Sequence, residues 1–167
     1  MSAALARLER ALYRLLRWVS LAAFVVLFLL LAMTVLVRFV PVASTGWSDE
    51  IVELAFAWMV FLGAAVLWRD GTHFRVDLVP QKLAGSAAGR WLEIVLGVLS
   101  LGFLVVFTYE GWVLTRAATD RSPIFVLSKV FWYGVMPLAG ALMVVSTLRD
   151  LWSRLRRRDA EGGPGTP

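Results

Sequence analysis

Four long apolar segments constrain the fold of this chain more than any other feature of its sequence. They cover residues 18–37, 51–68, 91–113 and 130–148. Their charged residues, Glu53, Glu93 and Glu110, lie close to segment ends. A helix needs about 20 residues to cross a hydrocarbon core ~30 Å thick, and barrel strands would be shorter and alternating. The sequence therefore predicts an all-α integral membrane protein with four transmembrane helices.

The segments also predict the domain organisation. Residues 1–150 are expected to form one transmembrane domain, with a kink at Pro137 in the fourth span. Residues 151–167 are expected to form a tail that is first basic and then disordered, since it ends in AEGGPGTP. The first apolar segment is longer than that of a signal peptide, so we expect it to be retained.

Basic residues predict the orientation of the spans. Most of the 17 lysines and arginines fall in three segments on one side, residues 1–17, 69–90 and 149–158. Cytoplasmic segments carry such an excess, so both termini are expected in the cytoplasm. Tryptophans near span ends, such as Trp18 and Trp112, agree with an aromatic belt at both interfaces.

The segment before the first span has a repeating pattern. Leucines occupy positions 5, 8, 12 and 15, and arginines follow each of them two residues later. The two residue types would therefore occupy opposite faces of a helix. Such an amphipathic helix either lies in the membrane interface among anionic headgroups or simply extends the first span. The pattern leaves both interpretations open.

Residue composition excludes several classes of function. The chain is 59% hydrophobic and contains no cysteine and a single histidine, His73. Thiol catalysis, disulfides and thiolate metal sites are therefore excluded, and so is a haem held by two histidines. The net charge of +5 comes from arginines at span ends, which predicts contact with membrane lipids and not with nucleic acid. We expect no cofactor, no metal site and no enzymatic activity.

Two pairs of polar residues are candidates for a site. His73 and Asp77 would share one face of a helix, but they are too few to hold a metal ion and no nucleophile accompanies them. By composition alone they are typical of a polar loop. Asp49 and Glu50 follow Ser48 at the start of the second span, where acids favour the positive end of a helix.

Trp58 and Gly63 are further candidates, and both lie within the second span. A glycine permits close helix approach, and a tryptophan supplies a large contact surface. A partner helix and packing inside this chain explain the two residues equally well.

The stretch WSDEIVELAFAWMVFLGAAVLWRDGTHFRVDL, residues 47–78, resembles the small permease subunit of TRAP transporters, the DctQ-like family. That family typically has paired acids opening span two, then Trp, then Phe-Leu-Gly, then a basic, His-containing loop ending in Val-Asp-Leu. The matching positions are Asp49, Glu50, Trp58, Phe61, Leu62, Gly63, Arg69, His73, Val76, Asp77 and Leu78. Ser122 and Pro123, and the run YGVMPLAGALM around Pro137, are similar to the start of the family's fourth span. Glu53 departs from the family, which often has a basic residue there.

The resemblance implies partners and a role. In that family the small subunit pairs with a large permease subunit that carries the substrate and sodium sites. A periplasmic substrate-binding protein delivers an organic acid, and the small subunit extends a fixed scaffold in the bacterial inner membrane. The residues singled out above are then subunit-interface or family-signature positions. His73 and Asp77 would form a structural polar network that joins the second span to the loop or to the large subunit.

Three other classes of protein remain as alternatives. The small subunit of a tripartite tricarboxylate transporter differs mainly in its partner. An autonomous small exporter needs a carboxylate within the membrane, and Glu53 is its candidate, although it lies near the interface. A membrane oxidoreductase is the enzymatic alternative, and the absence of cysteine removes its common quinone–disulfide form.

Overall fold

In the computed structural model, the described residues are 3–39, 46–70 and 87–161, with side chains described between Arg7 and Ser153. They form five helices: α1 (Ala3–Phe39), α2 (Gly46–Arg69), α3 (Ala87–Ala117), α4 (Val130–Tyr133) and α5 (Val135–Glu161). Four stretches, residues 7–39, 46–69, 91–117 and 130–153, are long and apolar enough to cross a membrane. The predicted all-α fold with four spans is confirmed.

Helix α1 is a single continuous helix of 37 residues. At 1.5 Å per residue it is about 55 Å long, well beyond a ~30 Å hydrocarbon core. The residues before position 18 therefore extend the first span without a break, as one of the two interpretations of this segment required. Its inward face holds Tyr13 and Leu16, which are buried, while Leu8, Leu12 and Leu15 are exposed.

The four long helices form a staggered row in the order α1, α2, α5, α3, in which side chains also join α1 to α5 and α2 to α3. Each helix packs along its neighbour in that order, and α4 lies at one end against α2, α3 and α5. In the most apolar stretch of each span, 33% of the residues are buried in the fourth span, which α5 dominates, and 22% in α2, against 6% in α1 and in α3. The two central helices thus form the core, and the two edge helices present most of their apolar surface outward.

Two clusters of buried side chains hold the row together. One joins α1, α2 and α5 through Tyr13, Leu16, Leu62, Val66 and Val135. The other joins α2, α3 and α5 through Ala65, Leu104, Ala139 and Met143. Lipid tails are as apolar as these side chains, so close packing rather than transfer from water stabilises such contacts.

Two buried glycines allow α3 and α5 to approach each other closely. A Cβ at Gly111 would lie 3.2 Å from Met136 and from the nitrogen of Pro137, and one at Gly140 would overlap the hydroxyl of Thr108. The sequence had drawn attention to Gly63 on α2 instead. At Gly63 an added Cβ would meet nothing within 4 Å.

The fourth span is interrupted where a kink was expected. Helix α4 ends at Tyr133, and α5 begins at Val135, two residues before Pro137. Proline has no N–H to donate to the carbonyl four residues earlier, which weakens the helix at that turn. The N–H of Gly134 still donates to the carbonyl of Val130 at 2.8 Å. Helix α5 continues past residue 150 into the basic tail, and residues 162–167 lie outside the described part.

Candidate functional site

Polar contacts concentrate at the two ends of α2. Arg69 lies at one end of α2, near Arg17 of α1 and Arg149 of α5, and we call this the basic end. Glu50 lies near the other end of α2, against the loop of residues 118–129, and we call this the loop end. Between these ends the helix has no charged residue from position 54 to position 68. The charged contacts of α2 are therefore confined to its two ends.

At the loop end, Glu50 bonds to the backbone of a distant loop. Its Oε1 accepts the N–H of Ile124 at 2.7 Å, and its Oε2 accepts the N–H of Phe125 at 3.2 Å. The hydroxyl of Ser122 also donates to this carboxylate. Glu50 is only 7% exposed. One carboxylate thus fixes the loop between α3 and α4 onto the first turn of α2.

The loop that Glu50 holds is a tight hairpin. Arg121 and Ser128 form an antiparallel bridge, and the N–H of Ser122 donates to the carbonyl of Leu127 at 2.8 Å. Val126 has a φ of 55°, a left-handed conformation that is uncommon for a β-branched residue. The side chains of residues 124–127 are exposed. The hairpin therefore carries an apolar tip at the end of the bundle.

Two further contacts bind this end of α2 to the start of the fourth span. The ammonium group of Lys129 lies 3.0 Å from Glu53 Oε2 and 4.7 Å from the centre of the Trp132 ring. The indole N–H of Trp58 donates to the carbonyl of Phe131 at 3.0 Å. Glu53, the candidate coupling carboxylate of an exporter, is therefore engaged in an ion pair with the loop.

At the basic end, Glu9 of α1 bonds to two arginines from two other helices. Arg69 of α2 donates from Nε to Glu9 Oε1 at 3.3 Å, and Arg149 of α5 pairs with Glu9 Oε2. The Arg69 guanidinium also lies 4.5 Å from the centre of the Tyr13 ring. Three helices are thus joined through one carboxylate.

Neutral hydrogen bonds reinforce the basic end. The hydroxyls of Tyr13 and Ser146 are 2.8 Å apart, and the indole N–H of Trp68 donates to the hydroxyl of Thr147 at 2.9 Å. Arg17 donates to Asp70 at 2.6 Å, although the Arg17 side chain is 66% exposed. These bonds tie α1 and α2 to the central helix α5 and to each other.

The structure describes most of the residues that the sequence singled out, and their contacts differ from one residue to the next. Glu50, Trp58 and Arg69 bond within the chain as described above. Pro137 packs against α3 at Gly111, whereas Asp49 is exposed in the first turn of α2. Gly63 lines a cleft between α1 and α2. His73 and Asp77 lie outside the described residues.

Sequence reasoning did not assign Glu9, Arg149 or Ser122 to these contacts, although Ser122 was part of the family resemblance. A signal for Glu9 was present, because it is the single acid among the four arginines of the N-terminal segment. It lies on the same helical face as Tyr13 and Leu16, which are buried. For Ser122 the neighbouring proline indicates a turn, but nothing in the sequence connects that turn with Glu50.

These features define a multi-span membrane protein whose helices are joined by polar contacts at their ends and by apolar packing between them. Comparison with known families assigns it more narrowly. Residues 27–157 match the family of tripartite ATP-independent periplasmic transporters, DctQ component. The match covers well over half of the chain, and the chain belongs to this family.

Two relatives show how this chain compares with longer proteins. It is 36% identical over 72 residues to the C4-dicarboxylate TRAP transporter small permease protein DctQ of Pseudomonas aeruginosa, covering 41% of this chain and 33% of that protein. It is 24% identical over 116 residues to the isethionate TRAP transporter permease protein DctMQ of Oleidesulfovibrio alaskensis, covering 68% of this chain and 18% of that protein. The matches thus span about a third and about a fifth of these relatives.

Proposed function

We propose that this chain is the small membrane subunit of a TRAP transporter and acts as a scaffold for the large permease subunit. The transporter would take up an organic acid, driven by sodium and delivered by a periplasmic binding protein. The observation that carries this proposal is the family match over residues 27–157. It favours a TRAP transporter over the tricarboxylate alternative.

The distribution of charge supports a structural role over a transporting one. A carboxylate that couples transport is expected within the membrane and accessible to the transported ion. On α2 the charges lie at the two ends, and Glu50 and Glu53 are both bound to the loop between α3 and α4. Such groups hold helices in place, as a scaffold requires.

The names of the relatives support a large permease subunit as partner. The name DctMQ joins the letters M and Q for a single protein, and this chain matches only 18% of that protein. The remainder of that protein is long enough to hold a second, larger component. We propose that the corresponding component is a separate protein that binds this chain in the membrane.

The relatives also bear on the transported substrate. Their names mention C4-dicarboxylates and isethionate, which are both small organic anions. We propose a substrate of that chemical class for the whole transporter, bound by the other two components. The basic end would face the cytoplasm of a bacterial inner membrane, in agreement with the positive-inside rule.

The first test is a pull-down of the tagged chain from its native membrane in mild detergent, followed by mass spectrometry. A large, many-span permease should be recovered in a fixed ratio with the chain. A chain that is purified alone, or only with copies of itself, would contradict the scaffold role.

A second test concerns His73 and Asp77, for which we propose a structural polar network at the basic end. Replacing both, as His73→Ala with Asp77→Ala, should reduce recovery of the large subunit. A matched double variant at two exposed positions on α1, Arg7→Ala with Arg14→Ala, controls for a change in the amount of chain that inserts into the membrane. Full assembly together with full transport by the His73 and Asp77 variant would refute the network.

A further inference from the structure

A cleft between α1 and α2 opens at the basic end and is not filled by any described side chain. It encloses about 250 Å³. Its lining comprises Arg17 and Ser20 of α1 and Gly63, Val66, Leu67 and Asp70 at and next to α2. The volume is sufficient for several methylene groups, so the cleft has room for an occupant that is not among the described residues.

The chemistry of the lining changes along the length of the cleft. Arg17 and Asp70 form an ion pair at the mouth. Ser20 lies three residues further along α1, about 4.5 Å deeper at 1.5 Å per residue. Gly63 lies seven residues from Asp70 along α2, about 10 Å deeper, beyond the apolar side chains of Val66 and Leu67. Charge, hydroxyl and hydrocarbon thus follow one another toward the middle of the membrane.

Two polar groups of the cleft lining can still form hydrogen bonds. The Ser20 oxygen is buried and has no hydrogen-bond partner among the described residues. A hydroxyl without a partner in an apolar setting is costly, which favours a partner from outside the described residues. The Arg17 guanidinium has five N–H donors in all and is largely exposed, so its bond to Asp70 leaves donors available.

Gly63 is not needed for close packing against any described part of the chain. An added Cβ there would meet nothing within 4 Å, so no described neighbour requires a glycine. The glycine instead leaves the deep end of the cleft open. Larger side chains at this position would occupy the space that a ligand chain could use.

We propose that this cleft binds one phospholipid from the membrane leaflet at the basic end. Its phosphate accepts hydrogen bonds from Arg17, an ester carbonyl accepts the hydroxyl of Ser20, and one acyl chain lies over Gly63. Phosphate, ester and hydrocarbon occur in that order along a phospholipid, which is the order of the groups along the cleft. Basic pockets between helices at the cytoplasmic side suit such headgroups.

The alternative occupant is a side chain of the large permease subunit, and one experiment separates the two. The full-length chain is purified, stripped of lipid with detergent and titrated with dioleoyl-phosphatidylglycerol while adducts are counted by native mass spectrometry. This measurement needs no partner, so its result is independent of the proposed scaffold role.

The unmodified chain should retain one phosphatidylglycerol molecule at concentrations where further adducts are absent. Gly63→Leu should weaken that first adduct about tenfold, a change that is readily resolved in dissociation constants. Gly102→Leu is the matched control, because a Cβ at Gly102 also meets nothing within 4 Å and Gly102 lines no part of the cleft. It should leave binding unchanged.

Two milder variants keep the test valid if Gly63→Leu fails to fold. Ser20→Ala and Arg17→Ala should each weaken the first adduct by a few-fold, as loss of one hydrogen bond or one charge predicts. Diacylglycerol, which lacks the phosphate, should bind more weakly than phosphatidylglycerol and should be insensitive to Arg17→Ala.

Equal binding of phosphatidylglycerol by the Gly63→Leu, Gly102→Leu and unmodified chains would overturn the proposal. So would a Gly63→Leu chain that keeps its lipid but no longer recovers the large subunit, because the cleft would then be a protein contact. Equal binding of diacylglycerol and phosphatidylglycerol would overturn the assignment of the phosphate to Arg17.

Discussion

The two ends of α2 are bound by different kinds of interaction. At the loop end, the carboxylate of Glu50 accepts backbone N–H groups and is almost wholly enclosed. At the basic end, side chains pair with side chains, and Arg17 in particular is mostly exposed. Backbone donors have no alternative partner once they are enclosed, whereas exposed ion pairs exchange readily with water and salt.

The comparison teaches that the number of charged contacts is a poor guide to what holds this bundle together. The basic end has more ion pairs, yet their side chains are between 20% and 66% exposed, and partly exposed pairs contribute little and are screened by salt. The loop end has one enclosed carboxylate on which a whole hairpin depends. We therefore expect the loop end to be the more sensitive of the two to single substitutions.

Glu50→Ala should have the largest effect, because it leaves the N–H groups of Ile124 and Phe125 without their acceptor. The hairpin should detach, and tryptic cleavage after Arg121 should become faster by about tenfold or more, since cleavage follows the population of the opened segment. Asp49→Ala removes the same charge one residue earlier, at an exposed position, and should leave the rate unchanged. Equal cleavage rates for the Glu50→Ala and Asp49→Ala variants would show that the bonds of Glu50 do not hold the hairpin.

Glu9→Gln should have the next largest effect, because Arg69 and Arg149 both lose their charged partner. The free energy of unfolding in mixed micelles should fall by about 1 kcal/mol at low salt. The loss should shrink near 1 M salt, where the Debye length is ~3 Å. Glu110→Gln, at an exposed position on α3, is the control for loss of one acidic charge. If the loss caused by Glu9→Gln does not depend on salt, then the contribution of Glu9 to the free energy of unfolding is not electrostatic.

Trp58→Phe tests a neutral hydrogen bond at the loop end, the contact of that end that lies deepest along α2. It removes the hydrogen bond to the Phe131 carbonyl but retains an aromatic ring in the apolar cluster. A loss of about 1 kcal/mol in the free energy of unfolding is expected for one neutral hydrogen bond. Trp112→Phe, at an exposed position, should cost less. If the Trp112 variant is the less stable of the two, then the Trp58 bond does not contribute.

Arg17→Ala should have the smallest effect on stability, although the ion pair that it breaks is only 2.6 Å long. An exposed pair is worth less than about 1 kcal/mol, so the unfolding midpoint in lipid-free micelles should scarcely move. Arg14→Ala, an exposed neighbour on α1, provides the baseline. If Arg17→Ala lowers the free energy of unfolding as much as Glu9→Gln does, then the exposed ion pair of Arg17 contributes as much as the ion pairs of Glu9.

Much of the fold followed from the sequence because the membrane leaves so few options. A run such as 18–37 without a charge can only be a helix there, and Pro137 marked the region where the fourth span is interrupted. The order of the helices in the row was not predictable by this argument. In lipid every apolar face resembles every other, so hydrophobic periodicity does not reveal which helix packs on which.

The candidate site was predictable only in part, and the reason differs from residue to residue. Glu50 was singled out as a residue at a helix start, but its bonds to Ile124 and Phe125 join positions 74 and 75 residues away. Glycines that permit close approach were sought on α2, whereas Gly111 and Gly140 fill that role between α3 and α5. A glycine in a sequence does not show whether its missing side chain leaves room for a neighbour or an empty space.

The staggered arrangement of the long helices has a mechanical consequence. In a flat row, each helix could pivot about its immediate neighbour. Here side chains of α1 reach α5 and side chains of α2 reach α3, so pivoting one helix about its neighbour must break a contact with another helix. Each edge helix is therefore held by two others, which favours motion of the four helices as one unit.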